Sequence, residues 1–278
     1  FNHFYSNGDR SDKGLISVLS GFPPQPDQSI IKNTNKASTL PFLSKSLAQI
    51  GYHNAFYYGG DLNFGNMNSY LRNGSIDQFV SGENFKKKDW NSKWGVHDHL
   101  LLQKFITDIN QDQNSPFFKT LFTLSSHEPF EFPGTYAFGK DTDDNLFRSA
   151  HHYTDEAIGS FIAQAKKQPW WKNTIVIIMA DHGHALPVKK EFFHGPSKFH
   201  IPMLWLGGAL SKKDTVISNF GTHTDFAYTF LPLIGADNTE FVWGNNLFVE
   251  SNHHYAHYVF NKGFGVINHE GTAVYDYH

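Results

Sequence analysis

Helical and strand patterns alternate along this chain, and this alternation limits the possible folds more than any other feature. The predicted segments are, in chain order, a helix at 40–50, a strand at 53–58, a helix at 97–111, a strand at 117–124, a helix at 150–167 and strands at 174–180 and 201–206. Strands separated by helices are typical of a mainly parallel sheet with helices on its faces. The sequence therefore predicts an α/β fold, a layered αβα domain with a mainly parallel central sheet.

The two ends of the chain carry different patterns. A short aromatic strand at 1–5 meets a turn, and the helix that follows begins at or near Ser11. From residue 248 onward, short apolar runs alternate with turn residues, which is typical of a small antiparallel sheet. We therefore expect a core at 1–247 and a C-terminal antiparallel subregion of the same domain at 248–278.

Composition excludes several classes of protein. The formal net charge of −3 provides no basic field for nucleic acid, so we expect no nucleic-acid partner. The absence of cysteine excludes disulfides and thiolate ligands. No run reaches the roughly 18 to 20 apolar residues of a membrane helix, and the first residues lack Met and a signal-peptide pattern. These observations favour a globular excerpt of a longer protein.

The strand predicted at 174–180 ends directly in Asp181, His182 and Gly183, and this ending has the composition of a metal site. In open α/β sheets, ligands bind at the carboxyl ends of the strands. Carboxylate and imidazole together are donors that Zn²⁺ or Mn²⁺ accept, and glycine permits a sharp turn beneath the ion. An ordinary polar turn after a strand is the alternative interpretation.

Ser11 is the candidate nucleophile because the sequence puts its hydroxyl at the start of a helix. The positive end of the helix dipole favours an alkoxide and a bound phosphate there. Serine is also a common helix N-cap, so a purely structural role is the alternative.

Seven short motifs occur in order over nearly the whole chain. They are 6–14 (SNGDRSDKG), 19–23 (LSGFP), 153–155 (YTD), 173–183 (NTIVIIMADHG), 200–202 (HIP), 225–231 (DFAYTFL) and 244–248 (GNNLF). With these motifs the chain resembles the alkaline phosphatase superfamily, and within it the sulfatase-like phosphoglycerol and phosphoethanolamine transferases related to lipoteichoic acid synthase.

The resemblance implies a covalent mechanism. Ser11 falls on the family's nucleophilic threonine, which attacks a phosphodiester and forms a phospho-enzyme. Asp181 and His182 fall on its metal-binding pair, with Ser11 as a further ligand, which implies one divalent metal: Mn²⁺, Zn²⁺ or Mg²⁺. His127 falls where these transferases hold a histidine near the phosphate, so it is expected to donate to a phosphate oxygen or protonate the leaving alcohol.

The resemblance also implies a phosphodiester or lipid head-group substrate, an extracytoplasmic location and a parent protein anchored in a membrane through an N-terminal region. The expected substrate-binding residues are Arg10, Asp61, Asn66, His184 and His194.

Two departures from the family pattern bear on function. Met67 stands where lipoteichoic acid synthases have a phosphate-binding arginine, which puts the glycerol-phosphate donor in doubt. No strand ending in Glu or Asp precedes Ser11, so we expect a fold that lacks its first strand and one metal ligand.

Two alternatives to a phosphotransferase stay open. One is a sulfate-ester hydrolase of the same fold, although Ser11-Asp-Lys-Gly14 does not fit the Cys/Ser-x-Pro-x-Arg motif of that class. The other is a degenerate, non-catalytic binding domain. Elsewhere, we interpret Asp98 as a helix cap and the flanking His97 and His99 as solvated surface residues.

Overall fold

Strands and helices alternate along most of the chain in the computed structural model. The structure describes residues 1–187, 192–250 and 255–277. Its strands are β1 (Phe4–Tyr5), β2 (His53–Tyr58), β3 (Gln78–Val80), β4 (Phe117–Phe122), β5 (Val176–Met179), β6 (Met203–Leu206), β7 (Gly221–Thr222), β8 (Ala256–Phe260), β9 (Gly263–Asn268) and β10 (Gly271–Asp276). Its α-helices are α1 (Ser11–Ser20), α2 (Thr34–Ala37), α3 (Leu43–Gln49), α4 (Met67–Leu71), α5 (Asp98–Gln111), α6 (Asp143–Ala165), α7 (Pro196–Phe199) and α8 (His223–Leu233).

The central sheet is mainly parallel, as the sequence predicts. β2 pairs in parallel with β3 on one side and with β4 on the other, and β1 pairs in parallel with β7. β5 and β6 form an antiparallel pair, in which Ile177 lies opposite Trp205. Antiparallel strands are common in otherwise parallel sheets of this size.

Helices cover both faces of the sheet. On one face, α5 and α6 bury a cluster that includes Leu101, Phe105 and Phe161. On the other face, α1, α3 and α8 pack against the sheet through residues such as Leu47 and Phe226. The predicted layered αβα architecture is therefore confirmed.

β4 and β5 each have one edge without a strand partner among the described residues. β4 pairs only with β2, and β5 pairs only with β6. The two strands lie in the same layer, because Leu121 and Val176 pack against the α5–α6 cluster while Phe118 and Ile177 pack against the opposite one. All residues of β4 and β5 are half-buried, whereas β2 is buried at five of its six positions. The expected lack of a first strand stays a prediction, and the open edges of β4 and β5 are compatible with it.

The C-terminal antiparallel sheet has three strands in the order β10-β9-β8, as predicted. It is joined to the turn that precedes α1, because Val259 N donates to Asn7 O at 2.8 Å and Asn7 Nδ2 donates to His257 O at 3.1 Å. These bonds connect the C-terminal sheet directly to the segment that carries Ser11. The predicted boundary at residue 247 stays a prediction.

Most helices and strands agree with the sequence patterns, but α6 begins seven residues before the predicted start at 150. Thr142 caps this helix by accepting a hydrogen bond from Asn145 N, and Asp143 and Asp144 occupy its first turn. An acceptor at the N-cap and acidic residues in the first turn both favour a helix start. The apolar periodicity begins later than these capping signals, which explains the difference.

Candidate functional site

Loops from three strands meet at one edge of the sheet. The loop after β4 contacts the loop after β5, where His184 Nε2 lies 3.4 Å from Glu128 Oε1. Tyr58 is the last residue of β2, and its pKa is raised to about 12 by burial and then by the carboxylates of Asp61 and Asp181. The predicted residues Asp61, His127 and Asp181 therefore belong to one edge, the usual ligand-binding edge of such sheets.

The spacing of Asp181 and His182 fits two ligands of one ion. His182 Nδ1 lies 2.8 Å from the carbonyl oxygen of Gly183, so an Nδ1–H donor leaves Nε2 as the lone-pair atom. That Nε2 lies 3.7 Å from Asp181 Oδ2. Two ligands with bonds of about 2.0–2.1 Å at a tetrahedral angle lie about 3.4 Å apart. A backbone carbonyl that fixes the tautomer of a histidine is a common support for metal ligands.

Ser11 is the first residue of α1, and the start of this helix packs against the backbone of Asp181. A methyl group added at Gly14 would lie only 1.9 Å from Asp181 O. Ser11 precedes Gly14 by three residues, so both lie on the same side of the helix. Glycine at position 14 is therefore what allows the helix that carries Ser11 to approach Asp181.

Residues at the start of α8 form hydrogen bonds with the segment before Asp181 and with the turn before Ser11. The fully buried His223 donates Nε2–H to Ala180 O at 2.9 Å, directly before Asp181. Thr224 N donates to Asn7 Oδ1 at 3.1 Å, in the turn before Ser11. Burial lowers the pKa of His223 to about 4, so its imidazole is neutral near pH 7.

His127 is exposed and follows β4 at the same edge. Its Nδ1 lies 2.9 Å from the carbonyl oxygen of Glu128, which leaves Nε2 as the ring atom available to a substrate. The imidazole ring contacts Trp94, with 4.6 Å between ring centroids, and the Trp94 indole donates to Glu128 O at 2.5 Å. This geometry suits proton transfer at Nε2.

Three predicted substrate-binding residues lie in the loops around this edge. Arg10 is exposed directly before α1. Asp61 is exposed after β2 and accepts a hydrogen bond from Asn63 N at 2.8 Å. Asn66 has a left-handed backbone, with φ of 64°, and its side chain donates to Ile31 O at 3.4 Å. Their predicted roles in binding substrate stay predictions.

The two predicted histidines have different surroundings. His184 accepts a hydrogen bond from Leu186 N at Nδ1, lies beside Glu128 at Nε2 and stacks on Phe147 at 5.1 Å. His194 stacks on the buried Phe260 at 3.9 Å, so its ring packs against the C-terminal sheet. His184 therefore lies in the loop that follows Asp181 and His182, and both binding roles stay predictions.

The interpretation of residues 97–99 is wrong in two respects. His97 is 3% exposed, so it is not a solvated surface residue. Asp98 does not cap its own helix, because its carboxylate accepts hydrogen bonds from Leu124 N and Ser125 N in the loop after β4. A hydrophilic triplet at the start of a helix gives no sequence signal of this burial. Only His99 is exposed as expected.

Lys198 is a candidate that the sequence patterns missed. Its backbone oxygen contacts Gly183, since a methyl group added at Gly183 would lie 1.7 Å from it. Burial lowers the pKa of Lys198, Asp9 opposes this effect, and the nearby Arg10 and Lys13 lower the pKa further. Lys13 is paired with Asp9 at 3.2 Å, whereas Lys198 has no salt bridge within the described ranges. The region beside Ser11 therefore carries positive charge suited to a phosphate oxygen.

No cluster of three or more His, Cys, Asp or Glu side chains with metal-binding geometry occurs in the part of the chain that the structure describes. The residues that fit a metal are the pair Asp181 and His182, and Ser11 lies on the helix that packs against the Asp181 backbone through Gly14. A divalent ion held by these residues needs further oxygen ligands, because four is the usual minimum for zinc.

Comparison with known proteins gives a consistent assignment. A family model described as Sulfatase matches residues 1–236. Lipoteichoic acid synthase 2 of Bacillus subtilis is 24% identical over 274 residues, which cover 91% of this chain and 41% of that protein. Phosphoglycerol transferase I of Citrobacter koseri is 26% identical over 206 residues, which cover 70% of this chain and 27% of that protein. The chain thus spans less than half the length of these relatives.

Solved structures share the fold. An alkaline phosphatase superfamily protein from Vibrio parahaemolyticus has a TM-score of 0.83 and 29% identity, and the match covers 100% of this chain and 70% of that chain. The C-terminal periplasmic domain of EcEptC from Escherichia coli, in complex with zinc, has a TM-score of 0.63 and 16% identity, covering 91% of this chain and 76% of that chain.

Among the described residues, no helix combines the length and apolar character needed to cross a membrane.

Proposed function

Because the chain belongs to the sulfatase family of the alkaline phosphatase superfamily, we propose that it is a metal-dependent phosphotransferase or phosphodiesterase that acts on lipid head-group or glycan-linked phosphodiesters. The names of the relatives, a lipoteichoic acid synthase and a phosphoglycerol transferase, support this substrate class over sulfate esters. The observation that carries the proposal is the packing of the Ser11 helix on Asp181 through Gly14.

The metal would be held by Asp181, His182 and Ser11. When bound, a divalent ion supplies Lewis-acid stabilisation of a phosphoryl oxygen and lowers the pKa of a coordinated hydroxyl. The zinc complex of a protein with the same fold supports a divalent ion. Water or further side chains would supply the remaining ligands.

The chain's own residues carry out the transfer in two displacements. Ser11 Oγ, having lost its proton to solvent, attacks phosphorus as an alkoxide while the bond to the leaving alcohol oxygen breaks, and His127 Nε2 gives that oxygen a proton. In the second displacement an acceptor hydroxyl, or water, attacks the phosphoserine. His127 Nε2 then removes the proton of the attacking oxygen, and Ser11 Oγ leaves as the alkoxide, which restores the starting state of both residues. Lys198 and Arg10 balance the negative charge of the phosphoryl group throughout.

Location and anchoring are part of the same proposal. The relatives are longer than this chain, and the matched domain of EcEptC is periplasmic. We infer an extracytoplasmic domain whose parent protein is attached to a membrane through a region outside these 278 residues.

Metal titration combined with phosphodiester turnover tests the proposal. Calorimetry with Mn²⁺ and Zn²⁺ is expected to show stoichiometric binding that Asp181→Ala abolishes. Ser11→Ala is expected to abolish turnover of bis(p-nitrophenyl) phosphate, whereas Ser69→Ala, at an exposed serine, leaves it unchanged. Mass spectrometry of enzyme quenched during turnover is expected to find phosphate on Ser11.

Each alternative has its own signature in these measurements. A non-catalytic binding domain would bind phosphodiesters without turning them over. A sulfate-ester hydrolase would carry an aldehyde at Ser11 in place of the hydroxyl. Turnover that survives Ser11→Ala would contradict the proposed nucleophile.

A further inference from the structure

The carboxylate of Asp98 is buried where α5, α6 and the loop after β4 meet. Oδ1 accepts from Leu124 N at 2.8 Å, Oδ2 accepts from Thr154 Oγ1 at 2.9 Å, and Ser125 N lies 3.2 and 3.3 Å from the two oxygens. No ion pair of the described residues includes Asp98. Hydrogen-bond donors, rather than a cation, therefore compensate for the burial of this carboxylate.

The partners of Asp98 are remote in sequence. Leu124 is 26 residues away and Thr154 is 56 residues away. The contact with Ser125 is reciprocal, because Asp98 N donates to Ser125 Oγ at 3.0 Å. A helix cap would bond to amides of its own first turn. Asp98 instead connects two helices to the carboxyl end of β4.

The same hydrogen-bond network includes the turn that carries His127. Ser126 Oγ donates to Thr154 Oγ1 at 2.9 Å, and His127 N donates to Leu124 O at 3.0 Å. Asp98 thus holds Leu124 and Ser125 directly and Ser126 through Thr154. Within the described part of the chain, the exposed ring of His127 contacts Trp94 and the adjacent carbonyl of Glu128, so its position depends on this turn.

We propose that Asp98 is a positioning residue for His127: it fixes the turn at 124–127 so that His127 Nε2 can give its proton to the leaving alcohol oxygen. The proposal rests on the proposed function. Burial raises the pKa of Asp98, and its amide and hydroxyl donors oppose that rise. The turn requires the side-chain oxygens of residue 98 as hydrogen-bond acceptors. The single side-chain oxygen of an asparagine at this position would supply most of that acceptor capacity.

The experiment compares two phosphodiesters in the full chain. One has p-nitrophenol as its leaving group, which departs with little proton donation. The other has an alkyl alcohol as its leaving group, whose departure depends strongly on proton donation. His127→Ala and Asp98→Ala are each expected to slow the alkyl diester on the order of 100-fold, and the nitrophenyl diester much less. The KM values are expected to stay close to wild type.

Three further variants separate positioning from general damage to the fold. Asp98→Asn keeps an oxygen acceptor for the two loop amides and is expected to recover most of the lost turnover. The double variant Asp98→Ala/His127→Ala is expected to be no slower than His127→Ala, because residues that act through one group are not additive. Asp108→Asn, on the same helix but bonded to Tyr57 and Lys104, serves as the matched control.

The outcomes that overturn the proposal are distinct from those that overturn the function. Additive losses in the double variant, or equal losses for both diesters, would contradict positioning. No turnover by the wild type would contradict the proposed function instead. In that case the NMR resonances of the His127 ring still test whether Asp98 positions His127. Resonances that shift in Asp98→Ala and return to their wild-type positions in Asp98→Asn support positioning. Unchanged resonances in Asp98→Ala overturn it. If Asp98→Ala does not fold, Thr154→Val is measured in its place, with the same pattern expected at smaller size.

Discussion

His223 provides a quantitative prediction about stability in acid. Its imidazole is fully buried, and burial lowers its pKa from an ordinary value of 6.5 to about 4. Between these two pH values the unfolded chain binds a proton at His223 that the folded chain does not, so stability falls as the pH is lowered. The loss from this residue is about 2 kcal/mol at pH 5 and about 3 kcal/mol at pH 4. Above pH 7 the residue makes no pH-dependent contribution.

The assay is urea unfolding followed by tryptophan fluorescence at pH 7.5, 6.0 and 5.0 in wild type and His223→Gln. Glutamine can still donate to Ala180 O but does not titrate, so the variant is expected to lose about 2 kcal/mol less than wild type between pH 7.5 and 5.0. A residual dependence is expected from His257, whose pKa burial also lowers to about 4. His53→Gln, at an exposed histidine, is the control. An unchanged pH dependence in His223→Gln would refute this account of the buried imidazole.

Three further predictions concern the site. Gly14→Ala is expected to abolish Mn²⁺ binding in calorimetry, because its methyl group would lie 1.9 Å from Asp181 O. Gly159→Ala is the control, because the space around Gly159 is open. This variant is expected to bind Mn²⁺ normally and to be up to about 1 kcal/mol more stable in urea unfolding. Lys198→Ala is expected to raise the KM for a phosphodiester about tenfold with a smaller change in kcat, since it removes a charge that binds phosphate in ground and transition state alike; an unchanged KM would contradict that role. Removal of metal with EDTA is expected to abolish turnover and Mn²⁺ to restore it, and activity that persists without metal would contradict the metal dependence.

Agreement between sequence and structure is closest where the deciding interactions are local. The apolar periodicity at 97–111 corresponds to α5 at Asp98–Gln111, and the strand at 53–58 has the predicted bounds. The start of α1 at Ser11 likewise follows from a turn and a helical pattern that are adjacent in sequence. These elements are decided by neighbours a few residues apart, so the pattern alone predicts them.

The sequence by itself therefore determined the α/β class, the order of the main elements and the candidate residues Ser11, Asp181 and His182. Only the tertiary structure decided that Asp98 is buried beneath the loop of His127, and that the backbone of Lys198 contacts Gly183, next to Asp181 and His182. The antiparallel pairing of β5 with β6 was also decided there. The physical reason is that these features depend on contacts between segments far apart in the chain. An acidic residue at the start of a helix has the same local pattern whether its carboxylate faces water or the backbone amides of another loop.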